Sequence, residues 1–308
     1  MKLDVILVTY NHTRFIEESL KSVLRQKTDF DFDVIIADDL SADDTLVKIK
    51  RLERGTKIPF RYLQSERNVG ITKNYQRAFR VCTAEYIAVL EGDDIWTDPC
   101  RLQKHVNFLE NHFECTMSFN QYLVADYENA EFHIQPSWSC EKGYQLLTSR
   151  DIARENLIGN YSTCVYRKSA IDALPEDLFE MTSYDWIVNI MVGKKGMIGY
   201  LTDVMSIYRI HSGGVWSGQK EAERIHNTLE CIERYNEFTD HLFEKEFGEF
   251  SDHLKQHLHL EKTAEFIKSN RFYKIKHVLK CIKGFTPPII IYLFKLLIPE
   301  KIWNKLKG

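Results

Sequence analysis

No stretch of this sequence is long enough in apolar residues to cross a membrane. A membrane-spanning helix needs roughly 18 consecutive apolar residues, whereas the longest run, Ile289–Ile298, is shorter and contains Lys295. The run Val5–Val8 is too short for the core of a signal peptide, follows Asp4 directly, and has no small-residue cleavage site after it. We therefore expect a cytoplasmic protein without a signal peptide.

Paired cysteines and an excess of one charge are also absent. The seven cysteines are odd in number, none has Cys-x-x-Cys spacing, and their neighbours are apolar. This pattern is typical of reduced core thiols and disfavours both a disulfide framework and a zinc site. The formal net charge of −3 at pH 7 provides no global attraction for nucleic acid, so we expect no nucleic-acid partner.

The chain has 308 residues, of which 44% are hydrophobic and 28% charged. This length suits one large α/β domain with an appendage, or two smaller domains. Apolar or β-branched runs predict strands at Val5–Thr9, Asp33–Ala37, Phe60–Leu63 and Tyr86–Leu90, separated by helical patterns. This alternation predicts an α/β fold with a mostly parallel sheet flanked by helices, in which ligands bind beyond the carboxyl ends of the strands.

Later segments continue this domain and then change in composition. Further strands are predicted at Thr116–Val124, Thr163–Tyr166 and Met205–Ile210, and a helix at Ile187–Val192. We assign residues 1–217 to one domain and residues 218–308 to a helical C-terminal extension. Within the extension, residues 219–268 are rich in Glu, Lys, His and Leu and contain no proline, which favours two helices.

The end of the chain, residues 271–308, is a basic and apolar tail. It contains nine Lys and Arg against one acid, Glu300, and its apolar segment begins at Pro287-Pro288 and ends at Pro299. Lysines beside large apolar residues are typical of an interfacial helix on an anionic membrane. A helix docked on the first domain or on a second subunit is the alternative. We favour peripheral contact with the cytoplasmic face of the inner membrane.

Polar clusters follow three of the predicted strands. They are Thr9-Tyr10-Asn11, Asp38-Asp39 and Glu91-Gly92-Asp93-Asp94. Side chains alternate in an extended chain, so Glu91 and Asp93 share one face and Asp94 takes the other. Such carboxylates suit Mg²⁺ or Mn²⁺ holding a diphosphate. An acidic β-turn is the alternative, but the apolar strand before the cluster and Trp96 after it favour a metal site.

Four motifs occur in a fixed order along the first hundred residues. They are Leu7-Val8-Thr9-Tyr10-Asn11, Asp38-Asp39-x-Ser41-x-Asp43-x-Thr45, Asn68-x-Gly70 and, at residues 91–96, Glu-Gly-Asp-Asp-x-Trp. In this order the chain resembles the family 2 glycosyltransferases of GT-A fold over about residues 1–215. The resemblance implies inverting, metal-dependent transfer of a sugar from a nucleoside diphosphate, with UDP expected. The acceptor would be a hydroxyl of a glycan or lipid-linked glycan in bacterial cell-surface polysaccharide synthesis.

The resemblance also implies roles for individual residues. The residues expected at the nucleotide are Thr9, Tyr10, Asn11, Asp38, Asp39, Asn68, Lys73 and Asp93. Those expected at Mn²⁺ or Mg²⁺ are Asp93, Asp94 and His211, and His211 could instead donate to phosphate. Glu91, Arg209 and Trp96 are additional candidates for the site, with Arg209 expected to neutralise phosphate. The family commonly has Asp where this chain has Glu91, so direct contact with the metal and contact through water both stay open. Helix capping is the alternative for the Asp38-Asp39 pair, and a plain surface position is the alternative for Lys73.

The expected catalytic base is Asp185, in Ser-Tyr-Asp-Trp. Inverting transfer is an in-line displacement, so a carboxylate must take the proton of the acceptor hydroxyl. An Asp before an apolar helix is also a common N-cap, and Glu180 is the nearest rival as base. The segment Tyr208–His211 resembles the Tyr-Arg-x-His segment that the family places over the diphosphate, and the two glycines after it suggest a loop that closes over the donor.

Two other classes of protein share parts of this pattern. A nucleotidyltransferase that makes sugar nucleotides has a similar sheet, but carries a glycine-rich, basic loop after the first strand, where this chain has Thr9-Tyr10-Asn11-His12. A non-catalytic module that binds nucleotide sugars is the second alternative. The presence of Asp93, Asp94, Asp185 and His211 disfavours such a module. A donor-hydrolysis assay separates it from an active glycosyltransferase.

Overall fold

The computed structural model describes residues 1–138, 140–214 and 218–269, with side chains described up to residue 259. The strands are β1 (Leu3–Thr9), β2 (Phe32–Asp38), β3 (Phe60–Tyr62), β4 (Tyr86–Glu91), β5 (Ile95–Trp96), β6 (Cys115–Asp126), β7 (Glu131–Gln135), β8 (Tyr144–Leu147), β9 (Cys164–Arg167) and β10 (Met197–Ile210). The helices are α1 (Ile16–Leu24), α2 (Thr45–Glu53), α3 (Ile71–Val81), α4 (Arg101–Asn111), α5 (Ser149–Ala153), α6 (Lys168–Asp172), α7 (Asp185–Gly193), α8 (Glu221–Phe238) and α9 (Glu244–Ser269). Short 3₁₀ helices lie at Tyr161–Thr163 and Glu176–Phe179.

The ten strands of the described residues form one mixed sheet. Its order is β3-β2-β1-β4-β9-β6-β10-β5, with β7 paired to β6 and β8 paired to β10. β1 is parallel to β2 and β4, and β2 is parallel to β3. β9 is antiparallel to both β4 and β6, and β6 is parallel to β10, so β6 and β10 run in the same direction as β4. The mostly parallel sheet predicted from the sequence is confirmed, and six of its strands end at one edge.

The core beneath this edge explains why α1 and β1 form. Every residue of β1 is buried, as the continuous apolar run of a parallel strand covered on both faces predicts. The buried apolar residues of α1 are Ile16, Leu20 and Val23, which recur at helical spacing. Each fully buried side chain of this size stabilises the fold by roughly 1.5–3 kcal/mol. This packing holds the ends of β1 and β4 in place.

The described residues form two compact units. One consists of residues 1–219 and 234–247, and the other, within the described residues, of 220–233 and 248–269. The predicted C-terminal helices are present as α8 and α9. The boundary between residues 217 and 218 stays a prediction, and the tail, residues 271–308, lies outside the described residues.

None of the helices within the described residues combines the length and the apolar character that a membrane crossing requires.

Candidate active site

A cavity of about 350 Å³ opens at the edge where the parallel strands end. Seven of the residues predicted at the site line it, namely Thr9, Tyr10, Asp39, Asn68, Glu91, Asp93 and Asp185. Seven others do not line it, namely Asn11, Asp38, Lys73, Asp94, Trp96, Arg209 and His211. The structure therefore brings residues from all four ordered motifs, together with Asp185, to one cavity.

The loops after β1 and β2 form one wall of the cavity, with an exposed aromatic ring. The Tyr10 side chain is 47% exposed at the cavity, so its ring is accessible to a flat ligand. The carboxylate of Asp39 accepts hydrogen bonds from the backbone N–H groups of Val69 and Gly70, both at 2.8 Å. Gly70 has φ +82°, a conformation that a side chain disfavours. Asp39 therefore fixes the turn that presents Asn68 to the cavity.

Asn11 and Asp38 connect these two loops behind the cavity wall. The Asn11 side-chain oxygen accepts from the backbone N–H of Ala42 at 2.8 Å. The Asp38 carboxylate accepts from the backbone N–H of Ser41 at 2.9 Å and from its hydroxyl at 2.5 Å. These contacts are those of turn residues. The cap position of α2 is occupied by Asp44, so Asp38 does not have the helix-capping role given as its alternative. Both residues support the wall without lining the cavity.

Asp93 lies at the acidic turn after β4, between two histidines. Its Oδ2 atom is 3.1 Å from Nε2 of His211 and 3.7 Å from Nε2 of His12. Burial alone raises the pKa of Asp93, but the His211 hydrogen bond and the charges of both histidines outweigh it and lower the pKa below its ordinary value. Gly92 permits this packing, since a Cβ atom there would lie 2.7 Å from His12 Nδ1 and from Thr9 Oγ1.

Asp94 points away from the cavity, but residues 91–94 form a turn closed by the Asp94 N–H donating to the Glu91 carbonyl oxygen at 3.0 Å, not the extended chain expected from the sequence. Asp94 is 1% exposed, and its two carboxylate oxygens accept from the Ser162 hydroxyl at 2.6 Å and from the backbone N–H of Arg209 at 3.1 Å. Burial, followed by the charge of Asp93, raises its pKa well above the ordinary value. Asp94 therefore joins the acidic turn to β10, a position that does not suit a cavity-facing metal ligand.

Glu91 lines the cavity beside Asp93. Its Oε1 atom accepts from the Tyr75 hydroxyl at 2.8 Å. Burial is the main cause that raises the pKa of Glu91 well above its ordinary value, and the charges of Asp94 and Asp93 add to it. The turn thus presents two carboxyl groups to one cavity.

The fit of a divalent cation can be tested against these side chains. The described residues contain no group of three or more His, Cys, Asp or Glu side chains placed to hold an ion, so the predicted set of Asp93, Asp94 and His211 is not assembled. Asp93 and His211 do face each other, and Mg²⁺-type sites often use one or two protein carboxylates together with substrate phosphates. The donor set therefore fits an ion that is held jointly with a diphosphate.

Asp185 is the first residue of α7, and the preceding Tyr184 occupies the cap position without a side-chain cap bond. The Asp185 side chain is 9% exposed and lines the cavity. Burial raises its pKa to about 6, against the lowering effect of a 3.3 Å hydrogen bond from Asn156. The rival Glu180 does not line the cavity and pairs instead with Lys73 at 2.6 Å.

Three predicted residues make structural contacts instead of lining the cavity. Lys73 is held by Glu180, as a surface lysine would be. Trp96 is fully buried, and its indole N–H donates to the backbone oxygen of Ser162 at 2.8 Å. The guanidinium of Arg209 pairs with Glu18 at 2.6 Å. Because side chains alternate along a strand, β10 directs Tyr208 into the cavity and Arg209 away from it.

Several lining residues were not singled out from the sequence. They are His12, Asn160, Tyr161 and Tyr184, together with Tyr208, whose neighbours in the Tyr-Arg-x-His segment received the roles. The period of two along β10 identifies Tyr208 once Arg209 is known to point outward. His12 directly follows the Thr-Tyr-Asn motif. No sequence motif marks Asn160, because its position in the cavity and its burial depend on the folded structure.

Residues 4–174 match the sequence model described as glycosyl transferase family 2, and the chain belongs to that family. TuaG of Bacillus subtilis, provisionally named a teichuronic acid biosynthesis glycosyltransferase, is 24% identical over 73% of this chain and 89% of its own length. Mycobacterial proteins described as uncharacterized, from Mycobacterium tuberculosis and Mycobacterium bovis, are 30% identical over 70% of this chain. The chain spans 60% of the length of these mycobacterial relatives.

Two solved structures share the fold. The mannosyltransferase PcManGT from Pyrobaculum calidifontis, in complex with GDP-Man and Mn²⁺, has a TM-score of 0.61 at 14% identity, over 96% of this chain and 79% of that one. TarS of S. aureus, in complex with UDP-GlcNAc, has a TM-score of 0.58 at 20% identity, over 98% of this chain and 83% of that one. At these identities the likeness concerns the fold, and it confirms the expected GT-A architecture.

Proposed function

We propose that the protein is an inverting glycosyltransferase that uses a divalent metal and a nucleoside-diphosphate sugar. The observation that carries this proposal is the meeting of Asp93, His211 and Asp185 around one cavity: Asp93 and Asp185 line it, and His211 holds Asp93. A nucleotidyltransferase is less well supported, since neither Lys nor Arg is among the described residues that line the cavity. A purely binding module would have no use for the raised pKa of Asp185.

The nucleoside binds against the wall formed by the loops after β1 and β2. The exposed ring of Tyr10 stacks on the base. Asp39 has two lone-pair sites in use by the backbone N–H groups of residues 69 and 70, and a carboxylate has about four in total. Asp39 can therefore hold the turn and accept from the base edge at the same time. We expect UDP as the nucleotide, because the TarS structure, which shares the fold, contains UDP-GlcNAc.

We place the diphosphate over the acidic turn, where Asp93 and His211 would hold Mn²⁺ or Mg²⁺ together with the phosphate oxygens. When bound, the ion neutralises the negative charge that develops on the departing diphosphate. His211 orients Asp93 through the 3.1 Å contact between their side chains, and Asp94 holds the turn to β10. PcManGT, whose structure contains Mn²⁺, supports this assignment.

Asp185 takes the proton of the attacking hydroxyl. Burial raises its pKa to about 6, which leaves the carboxylate ionised at neutral pH and still basic enough to accept a proton in the transition state. The acceptor oxygen attacks the anomeric carbon from the side opposite the diphosphate, the bond to the diphosphate breaks, and the configuration inverts. Asn156 orients the carboxylate from one side.

The acceptor we propose is a hydroxyl of a glycan or of a lipid-linked glycan in cell-surface polysaccharide synthesis. The similarity to TuaG supports this setting. The basic and apolar tail, residues 271–308, would hold the enzyme at the cytoplasmic face of the inner membrane. Pelleting with anionic liposomes, reversed by high salt, tests that placement. If a chain truncated after Lys268 still pellets, the tail is not the anchor.

The decisive experiment measures how UDP stabilises the protein with Mn²⁺ and with EDTA. Because a ligand that binds only the folded state raises its stability, the melting temperature should rise much more with UDP and Mn²⁺ than with UDP and EDTA. Asp93→Asn should abolish the difference, and the exposed control Asp172→Asn should retain it. Equal stabilisation by UDP with and without metal would contradict metal-dependent donor binding.

A further inference from the structure

Asn160 is a buried amide in the cavity whose hydrogen-bonding capacity is largely unused within the described residues. It lines the cavity and is 5% exposed, yet neither Oδ1 nor Nδ2 makes a hydrogen bond of normal geometry within the described residues. Burial raises the pKa of the nearby Tyr122 hydroxyl, and the Asn160 amide acts as a donor that lowers it. That contact supplies no donor to Oδ1. Buried polar groups without partners are rare in folded proteins, so this one requires an explanation.

The backbone around Asn160 is fixed by several contacts, so the position of the amide is not that of a loose loop. Its carbonyl oxygen accepts from the Thr163 hydroxyl at 3.0 Å and from Cys164 Sγ at 3.6 Å. Gly159 precedes it with φ +73°, and a Cβ atom there would lie 2.1 Å from the Tyr122 hydroxyl. The Tyr161 ring that follows stacks on Tyr75 with ring centroids 4.1 Å apart. The fold therefore presents the amide in one place.

A second buried asparagine of the same cavity shows that an unsatisfied amide is not the rule there. Asn74 is 2% exposed and also lines the cavity. Its Nδ2 donates to the backbone oxygen of Ala37 at 2.9 Å, and its Oδ1 accepts from Arg77 Nε at 2.7 Å. Asn74 thus serves the fold, whereas Asn160 retains an acceptor and a donor for a ligand.

The cavity also restricts the charge of that ligand. Four of its lining residues are carboxylates, Asp39, Glu91, Asp93 and Asp185, and among the described lining residues there is neither Lys nor Arg. An amide offers a donor and an acceptor together, which matches a sugar hydroxyl. We infer that Asn160 determines donor specificity by binding a hydroxyl of the transferred sugar, and that this sugar is uncharged. This inference rests on the proposed glycosyl transfer.

The contacts of the neighbouring residue favour the donor sugar over the acceptor. Ser162, two residues on, accepts from the backbone N–H of Glu91 at 3.1 Å and donates to Asp94 at 2.6 Å. The segment that carries Asn160 is therefore attached to the turn that we assign to the diphosphate. A sugar linked to that diphosphate lies within the same part of the cavity.

The test compares the affinities of UDP, UDP-glucose and UDP-GlcNAc, in the presence of Mn²⁺, for the full chain and for Asn160→Ala. We expect the variant to bind UDP within twofold of the wild type and to lose about tenfold in affinity for the best-bound sugar nucleotide, as for one hydrogen bond. A deoxy analogue of that sugar, lacking the contacted hydroxyl, should bind the two proteins equally. Unchanged sugar-nucleotide affinity in Asn160→Ala, or a loss confined to acceptor KM, overturns the inference.

Stability separates a binding role from a structural one. Without ligand, Asn160→Ala should melt at the same temperature as the wild type or higher, because the alanine removes an unpaired amide. Asn74→Ala should melt at a lower temperature, because it leaves two partners unpaired. A marked fall in the melting temperature of Asn160→Ala, measured without ligand, would show that the amide serves the fold.

A charged donor tests the second half of the inference. UDP-glucuronic acid should bind the wild type at least about tenfold more weakly than UDP-glucose, since its carboxylate would enter a cavity lined by acidic side chains and, among the described residues, by neither Lys nor Arg. Equal binding overturns the expectation of an uncharged sugar. If the wild type binds neither UDP nor any of these sugar nucleotides, the proposed function itself fails. If it binds them and Asn160→Ala binds them equally well, only the inference fails.

Discussion

Polar side chains on two sides of the cavity differ in how fully they are hydrogen-bonded to the rest of the protein. On the first side, formed by the loops after β1 and β2, Asn11, Asp38 and Asp39 bond to backbone groups of the adjoining loops. On the second side, formed by Asn160 and Asp185, the Asn160 amide makes no hydrogen bond of normal geometry within the described residues, and Asp185 accepts a 3.3 Å side-chain bond from Asn156. Side chains that are already bonded keep the first wall in shape before a ligand arrives. The side chains of the second side keep hydrogen-bonding capacity for a bound ligand.

The largest expected effect is on the second side, at Asp185. Asp185→Asn keeps the size of the side chain and removes its basicity, so transfer should fall by roughly 10²–10⁴-fold. UDP binding with Mn²⁺ should be unchanged, because this carboxylate is not proposed to touch the nucleotide or the metal. Initial rates of transfer and calorimetric UDP affinities measure the two quantities. Near-normal transfer by Asp185→Asn would refute its role as base.

The pH dependence sharpens the same assignment. A base must be ionised, and the pKa of Asp185 is raised to about 6, so kcat/KM should fall about tenfold for each unit of pH below that value. An aspartate with an ordinary pKa would keep its activity to nearly pH 4. The residual activity of Asp185→Asn should lack this acid limb. An acid limb that persists unchanged in the variant would assign it to another group.

An intermediate effect is expected on the first side, where Asp39 holds the turn of residues 68–70. Asp39→Ala removes the acceptor of the backbone N–H groups of Val69 and Gly70, which are partly exposed, so it should lower the free energy of unfolding by about 1 kcal/mol. Urea unfolding monitored by circular dichroism measures this loss. Because the turn also presents Asn68, UDP affinity should fall in parallel. Unchanged stability would mean that the turn is held by other contacts.

The smallest effect is expected at Glu180, which is outside the cavity. Its side chain is 70% exposed and pairs with Lys73, and exposed ion pairs contribute little to stability. Glu180→Gln should therefore transfer sugar at a rate within about twofold of the wild type. It serves as the matched control for Asp185→Asn in the same assay. A loss in Glu180→Gln as large as that in Asp185→Asn would restore Glu180 as the rival base.

The sequence predicts the strands next to the first side of the cavity, β1, β2 and β4, better than it predicts β10. Strands β1, β2 and β4 are continuous apolar runs, because parallel strands covered on both faces carry no polar alternation. β10 was predicted from Met205, but it begins at Met197. Its register shifts between Leu201 and Ser206, and such irregularities break the period of two on which the prediction depends.

The same limit applies to the candidate site. Asp93 and Asp94 are adjacent acids that point in different directions, as expected, but they do so in a turn closed between Glu91 and Asp94 and not through the alternation of an extended strand. That Asp94 would be fully engaged could not be predicted, since its partners Ser162 and Arg209 are distant in sequence. Asn160 has no motif at all. Asn160 stands out because its buried amide makes no hydrogen bond of normal geometry within the described residues. Only a folded structure reveals this.

The contact between Asp94 and the backbone of Arg209 has a consequence for folding. It joins residues 115 apart in the sequence, whereas the contacts between the loops after β1 and β2 join residues about 30 apart. Contacts of long sequence separation form late, because closing a longer loop costs more chain entropy. During synthesis, the wall formed by the loops after β1 and β2 can therefore take shape early. The acidic turn is completed only when the end of β10 has been made and has docked.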